Sequence, residues 1–114
     1  SVNVNNLNHL DCGINHTNGN TNFVGNILYS SPEIIRGDSI SFKSDIWAFG
    51  CILYEIIMLR KAFWSDNMLN VVKKITDLDY YKNYSSLSKE EERFLYVIEN
   101  CLVNDIDKRF DILD

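Results

Sequence analysis

The sequence predicts a mainly α fold, on three observations in its 114 residues. Residues 46–59 form a run that is apolar on every face and carries Glu55 as its only charge. Two later segments, opening near Ser65 and near Ser88, repeat apolar residues at helical spacing. The one stretch that alternates, residues 2–10, is interrupted by asparagines and supplies at most a short strand.

Taken in order, the elements separate into a polar first part and a helical remainder. Residues 1–32 contain one formally charged side chain, Asp11, and nine of the fourteen asparagines lie between Asn3 and Asn26. Asn and Gly favour turns over helix or strand, so residues 13–26 are expected to be irregular loop. Pro32 suits the first turn of a short helix over 32–36, where its missing N–H costs nothing, and Gly37 closes that turn. Ser44 or Asp45 is a good N-cap for the apolar helix that follows. A helix apolar all round is expected to be buried all round, and fourteen residues are too few to cross a bilayer. Asp45 at its start and Arg60–Lys61 at its end complement the helix dipole.

The next helix is expected to be capped by Ser65 or Asp66, with Met68, Leu69, Val71, Val72 and Ile75 facing inward. Ser88 and Glu91 form a Ser-x-x-Glu capping box. Behind it Phe94, residues 96–98, Cys101 and Leu102 recur at helical spacing, and residues 110–113 look like the first turn of another helix.

Composition excludes several classes. With 46% hydrophobic and 24% charged residues the chain resembles ordinary soluble domains, and its length bounds it at one. A net charge of −5 lacks the positive field that gathers nucleic-acid phosphates, so no nucleic-acid partner is expected. No run reaches the ~18 apolar residues of a membrane span, and no secretory leader opens the chain. Cys12, Cys51 and Cys101 are odd in number and widely spaced, which suits reduced thiols inside the cell, in cytoplasm or nucleus. His9, Cys12 and His16 are loosely spaced as metal ligands would be. A structural zinc site wants four ligands, and the fourth would have to come from Asp11 or a distant Cys.

Three motifs in order carry a resemblance. Gly25-Asn-Ile-Leu-Tyr-Ser-Ser-Pro-Glu33 resembles the end of a protein-kinase activation segment, usually worded Gly-Thr-Pro-Tyr-Tyr-Met-Ser-Pro-Glu. Lys43-Ser-Asp-Ile-Trp-Ala-Phe-Gly-Cys-Ile-Leu-Tyr-Glu55 resembles the kinase central helix with its Asp-x-Trp-x-x-Gly pattern, here Asp45, Trp47 and Gly50. Leu102-Val-Asn-Asp-Ile-Asp-Lys-Arg109 is similar to the Leu-x-x-Asp-Pro-x-x-Arg element that follows in the family. Leu59-Arg-Lys-Ala-Phe63 with Asn67-Met-Leu-Asn-Val-Val-Lys-Lys-Ile75 is similar to the NIMA-related Ser/Thr kinases in particular.

The resemblance implies a partial kinase domain: residues 1–10 as short strand or loop, 11–33 as activation segment, and 34–114 as the helical part of the C-terminal lobe. Asp11, in Leu10-Asp11-Cys12-Gly13, falls where the family places the Asp that holds Mg²⁺ against the ATP phosphates. Thr17 and Thr21 are possible phosphosites, each adding about −1.5 to −2 of charge when modified. Gly25, Asn26 and Tyr29 fall in the substrate-docking stretch. Glu33 and Arg109 match a pair that ties the activation segment to the helices beneath, and Asp45 matches a residue that hydrogen-bonds the catalytic-loop backbone. Trp47 is expected to be core packing.

Two departures bear on activity: Cys12 replaces the aromatic of Asp-Phe-Gly, and Asn26 replaces the Thr common in Ser/Thr kinases. Ile106 and Phe110 also replace family prolines, and the chain contains no Gly-rich loop, strand lysine or His-Arg-Asp loop. The resemblance therefore implies a parent that uses ATP and Mg²⁺ to phosphorylate a protein substrate, while this chain binds neither stably and does not act alone. Its partner would be the N-terminal part of the kinase domain. The alternative is a non-catalytic pseudokinase or truncated helical scaffold for protein–protein interaction.

Overall fold

The computed structural model describes residues 27–111. They form four α-helices, α1 (Pro32–Ile35), α2 (Phe42–Met58), α3 (Met68–Thr76) and α4 (Lys89–Cys101), and a 3₁₀ turn at Ile106–Lys108. No strand occurs among the described residues. The strand expected over 2–10 and the loop over 13–26 lie outside them.

Pro32 occupies the first turn of α1. That helix ends as its sequence suggests: Gly37 adopts φ 87°, while the Asp38 N–H donates to Glu33 O and the Gly37 N–H to Ile34 O, both at 2.9 Å. This is the paired 6→1 and 5→2 closure that a left-handed residue after a helix allows. The same closure ends α3, where Asp79 N donates to Lys74 O and Leu78 N to Ile75 O. There the left-handed residue is Leu78, at φ 55°, and its partly buried side chain packs on the core. Burial of that side chain offsets the roughly 1–2 kcal/mol its conformation costs.

The caps of α2 and α3 differ from those the sequence suggested. Ser41, not Ser44 or Asp45, caps α2 by accepting a hydrogen bond from Lys43 N at 3.2 Å, which lengthens the helix to 17 residues. Ser44 is inside the helix because its hydroxyl is needed for Glu33. Asn67, not Ser65 or Asp66, caps α3 through Oδ1, accepting from Leu69 N and Asn70 N. Ser65 and Asp66 instead bond each other, and Ser65 Oγ accepts from Asn67 N. The Ser88–Glu91 box stands as expected, with Glu91 N donating to Ser88 Oγ and Ser88 N donating to Glu91 Oε1.

Helix α2 is the pillar of the core, packing along α4, while α3 meets α1 and adds Val71 and Ile75 to the same buried cluster as Ala62 and Phe63. Trp47, Tyr54, Phe63, Val71, Ile75, Ile98 and Leu102 are fully buried. The rings interlock: Trp47 stacks on Phe63 at 5.5 Å between centroids, and Tyr80 meets Phe63 and Tyr54 edge-on. Gly50 lets α4 approach, since a Cβ there would lie 2.6 Å from Cys101 Cβ. Cys51 and Cys101 are free buried thiols, both pushed up in pKa by burial.

Burial on every face of α2 is not what the structure shows. Phe49, Ile52 and Ile56 are exposed and, with Asp45, share one face at helical spacing. Leu69 and Tyr96, expected inside, are 75% and 67% exposed because each lies two positions, about 200° of helix, from the inward residues Val71 and Ile98. Met68 and Phe94 are also on the surface, each one turn short of the buried residues of its helix. Residues 110 and 111 lie outside any helix, and the rest of the turn expected over 110–113 lies outside the described residues; a 3₁₀ turn precedes them at Ile106–Lys108.

Two substitutions test these local arguments. Gly50→Ala gains about 1 kcal/mol in helix propensity but forces α2 from α4, and a net loss of about 1–2 kcal/mol is expected in urea denaturation. Leu59, the C-cap of α2, sits at φ 57° and is 87% exposed, so it has the strain without the compensating burial. Leu59→Gly is expected to raise stability by about 0.5–1 kcal/mol, read as a higher midpoint in the same assay.

Candidate functional site

The functional candidate that the described residues assemble is a buried ion pair between Glu33, in α1, and Arg109, just past the 3₁₀ turn. Both side chains are 0% exposed. Arg109 Nη1 donates to Glu33 Oε2 at 2.7 Å and Nη2 donates to Oε1 at 2.9 Å, a bidentate pairing of two planar groups.

Four of the five Arg109 N–H donors find acceptors, and the carboxylate gains a hydroxyl. Ser44 Oγ donates to Glu33 Oε2 at 2.9 Å, Arg109 Nη1 also donates to Lys43 O, and Arg109 Nε donates to Val103 O. The guanidinium carbon lies 5.2 Å from the centre of the Trp47 ring. Burial alone would push the Glu33 carboxyl up; hydrogen bonds, that from Arg109 foremost, outweigh it and hold the group near 2.

Sequence reasoning missed Lys43. Its ammonium donates to Arg109 O at 2.6 Å and to Ile106 O at 3.1 Å, so it pins the first residue of the 3₁₀ turn and the residue that follows it. The position was visible as the first residue of the central-helix motif, but nothing in a lysine at a helix start distinguishes this clamp from a solvated charge.

A second cluster ties the 27–30 turn to the other end of α2. Tyr29 Oη donates to Glu55 Oε1 at 2.5 Å, and Lys61 Nζ donates to Glu55 Oε2 at 3.4 Å. This accounts for the lone charge in an apolar run: Glu55 accepts a half-buried phenol. Burial first, and the carboxylate second, push the Tyr29 hydroxyl up to about 12.

Of the other sequence candidates, Trp47 is fully buried and Gly50 lies against α4. Asp45 is exposed in the first turn of α2, on the face shared with Phe49. Asp11, Thr17, Thr21, Gly25 and Asn26 lie outside the described residues, as do His9, Cys12 and His16. Among the described residues no group of three or more His, Cys, Asp or Glu could hold a metal ion. No helix of the described residues is long and apolar enough to cross a membrane.

The ion pair yields a signed expectation. A carboxyl held near 2 from an ordinary 4.5 stabilises the fold above the ordinary value, and that stability is lost as pH falls from about 4.5 toward 2. Glu33→Gln strands the Arg109 charge, so a loss of about 3–5 kcal/mol is expected at pH 7, read by urea denaturation. The same variant is expected to lose less than the parent between pH 4.5 and 2.5.

Comparison with known proteins follows the same lines as the geometry. The family described as "Protein kinase domain" matches residues 9–114. The chain is 37% identical over 94 residues to human serine/threonine-protein kinase Nek10, covering 82% of this chain and 8% of that protein. It is 41% identical over 86 residues to Nek9 of Xenopus laevis, covering 75% of this chain and 9% of that protein. The chain thus spans less than a tenth of the length of these relatives. Among solved structures, the twitchin kinase region of C. elegans superposes with a TM-score of 0.66 at 21% identity, over 78% of this chain and 16% of that one, a likeness of fold. The described helices, with Glu33 locked to Arg109, are those of a kinase C-terminal lobe, and the chain belongs to the protein kinase domain family, with its sequence similarity to the Nek serine/threonine kinases.

Proposed function

We propose that the chain serves as the activation segment and helical C-terminal-lobe part of a Ser/Thr protein kinase. In this reading residues 1–10 are strand or loop, 11–33 the activation segment, and 34–114 the helical base. The observation that carries it is the buried bidentate bond from Arg109 to Glu33, which fastens the segment after residue 26 to the chain just past the 3₁₀ turn, 76 positions on. Such a bond fixes where the segment ends, and peptide docking by Gly25, Asn26 and Tyr29 needs that end fixed. Tyr29 is held in turn by Glu55.

The parent would transfer the ATP γ-phosphoryl group to a Ser or Thr hydroxyl, with Mg²⁺ neutralising the developing charge. Asp11 would contribute one carboxylate to that metal; the base, the strand lysine and the Gly-rich loop would come from the N-terminal part of the domain. The exposed face of Asp45, Phe49, Ile52 and Ile56 is where that part would seat, as one carboxylate beside three apolar side chains offers a backbone acceptor and buried area together. Cys12 and Asn26 favour a second reading, a non-catalytic scaffold using the same helices.

The 114-residue chain given ATP, Mg²⁺ and a generic Ser/Thr acceptor is expected to incorporate no phosphate. Joined to a segment carrying His-Arg-Asp and the strand lysine, it is expected to incorporate phosphate and to lose that activity with Asp11→Asn. Transfer by the chain alone would sink the proposal, and an inactive but folded joined domain would select the scaffold.

A further inference from the structure

An open cleft of about 510 Å³ lies at the far end of α2 from the ion pair, between Arg60 and Lys61, the end of α3 and the 79–81 segment. Neither the proposed phosphoryl transfer nor the activation segment uses it. Its wall carries Arg60, Lys61, Lys74, Trp64 and Tyr81, against one carboxylate, Asp79.

The states of these side chains are unequal. Lys61 leans toward Glu55 at 3.4 Å across an exposed contact. Arg60 lays its guanidinium over the Tyr81 ring at 4.2 Å, which occupies the face of the group and leaves its N–H edge without an acceptor among the described residues. The Lys74 ammonium, half-buried, likewise has no side-chain or backbone acceptor among them. Two cations of the cleft thus lack an acceptor among the described residues, in a chain whose net charge is −5. Stacking on an aromatic ring also reduces the freedom Arg60 would lose on binding.

We propose that this cleft binds a phosphorylated Ser or Thr side chain of a peptide. Arg60 and Lys74, with Lys61 beside them shared with Glu55, face one carboxylate, Asp79, and favour a dianion over the single charge of an Asp or Glu. An Arg fork beside an ammonium suits the tetrahedral arrangement of phosphate oxygens. The volume falls within the roughly 300–1,000 Å³ of small-ligand sites and takes a phosphoresidue with its neighbours. Trp64, 51% exposed, and Tyr81, 46% exposed, supply apolar surface for flanking residues, which a free phosphate ion would leave unused. The site recognises a phosphate already made, so it stands apart from the transfer proposed above.

The chain supplies its own reporter. Of its two tryptophans Trp47 is fully buried and Trp64 lines the cleft, so a ligand-induced change in emission reads Trp64. Titration with a blocked pentapeptide, phosphothreonine at its centre between alanine and leucine residues, is expected to show binding about tenfold tighter than its unphosphorylated form. Binding should weaken with added salt. Arg60→Gln and Lys74→Gln are each expected to weaken binding about fivefold, whereas Lys108→Gln, at the opposite end of α2, leaves it unchanged. Far-UV circular dichroism checks each fold, so either variant carries the test if the other fails to fold. Equal affinity for both peptides, or unchanged affinity in both cleft variants, would overturn the proposal. Inorganic phosphate binding as tightly as the phosphopeptide would overturn the peptide assignment, and tighter binding of a single-stranded oligonucleotide would make the cleft a general polyanion surface instead.

Discussion

Glu33 and Arg109 meet out of water, and most of what distinguishes this arrangement of helices follows from that meeting. Desolvating two charges costs several kcal/mol each, and their attraction returns it only when geometry and remaining hydrogen bonds are complete. Here they are close to complete: two parallel contacts, the Ser44 hydroxyl on the carboxylate, and two backbone carbonyls on the guanidinium. The pair therefore acts less as a source of net stability than as a constraint on register. Residues 31–33, the first turn of α2 and the chain from Val103 to Arg109 cannot shift relative to one another without stranding a charge.

Around that constraint α2 works as a two-ended support. Its first turn holds the ion pair through Ser44 and the Lys43 carbonyl; its last turns hold Tyr29 through Glu55. Between them Gly50 admits α4 and Trp47 begins the ring stack with Phe63 and Tyr80. The segment that runs from Tyr29 to Glu33 is thereby anchored at both ends of one helix. A rigid base with a pinned strip across it is what peptide positioning requires, since misplacement on the scale of an ångström is costly to transfer chemistry.

How much of this was legible in the sequence depends on the range of the interaction. Local signals were readable: Pro32 and Gly37 bracketed α1, and the Ser88–Glu91 box marked the start of α4. Family wording paired Glu33 with Arg109, which no periodicity could have done across 76 residues. Signals of similar strength competing at one place were not resolved. Ser41, Ser44 and Asp45 are all acceptable caps, and the choice fell to Ser41 because a buried carboxylate claimed the Ser44 hydroxyl. Apolarity was also misleading where it did not mean burial, as at Leu69, Tyr96 and the Phe49–Ile56 face. Lys43 was opaque because its partners are backbone carbonyls, which have no sequence identity.

The separation of 76 positions between the two halves of the ion pair also sets an order of events during synthesis. A ribosome adding about 5–20 residues per second places Glu33 in the nascent chain roughly 4–15 seconds before Arg109 is made. Through that interval the carboxylate has Ser44 to accept from and water to stay in, but no guanidinium. The residues of α2, α3 and α4 are all synthesised before the pair can close, so the strip at Tyr29–Glu33 gains its lock only after the sequence of its base has been made.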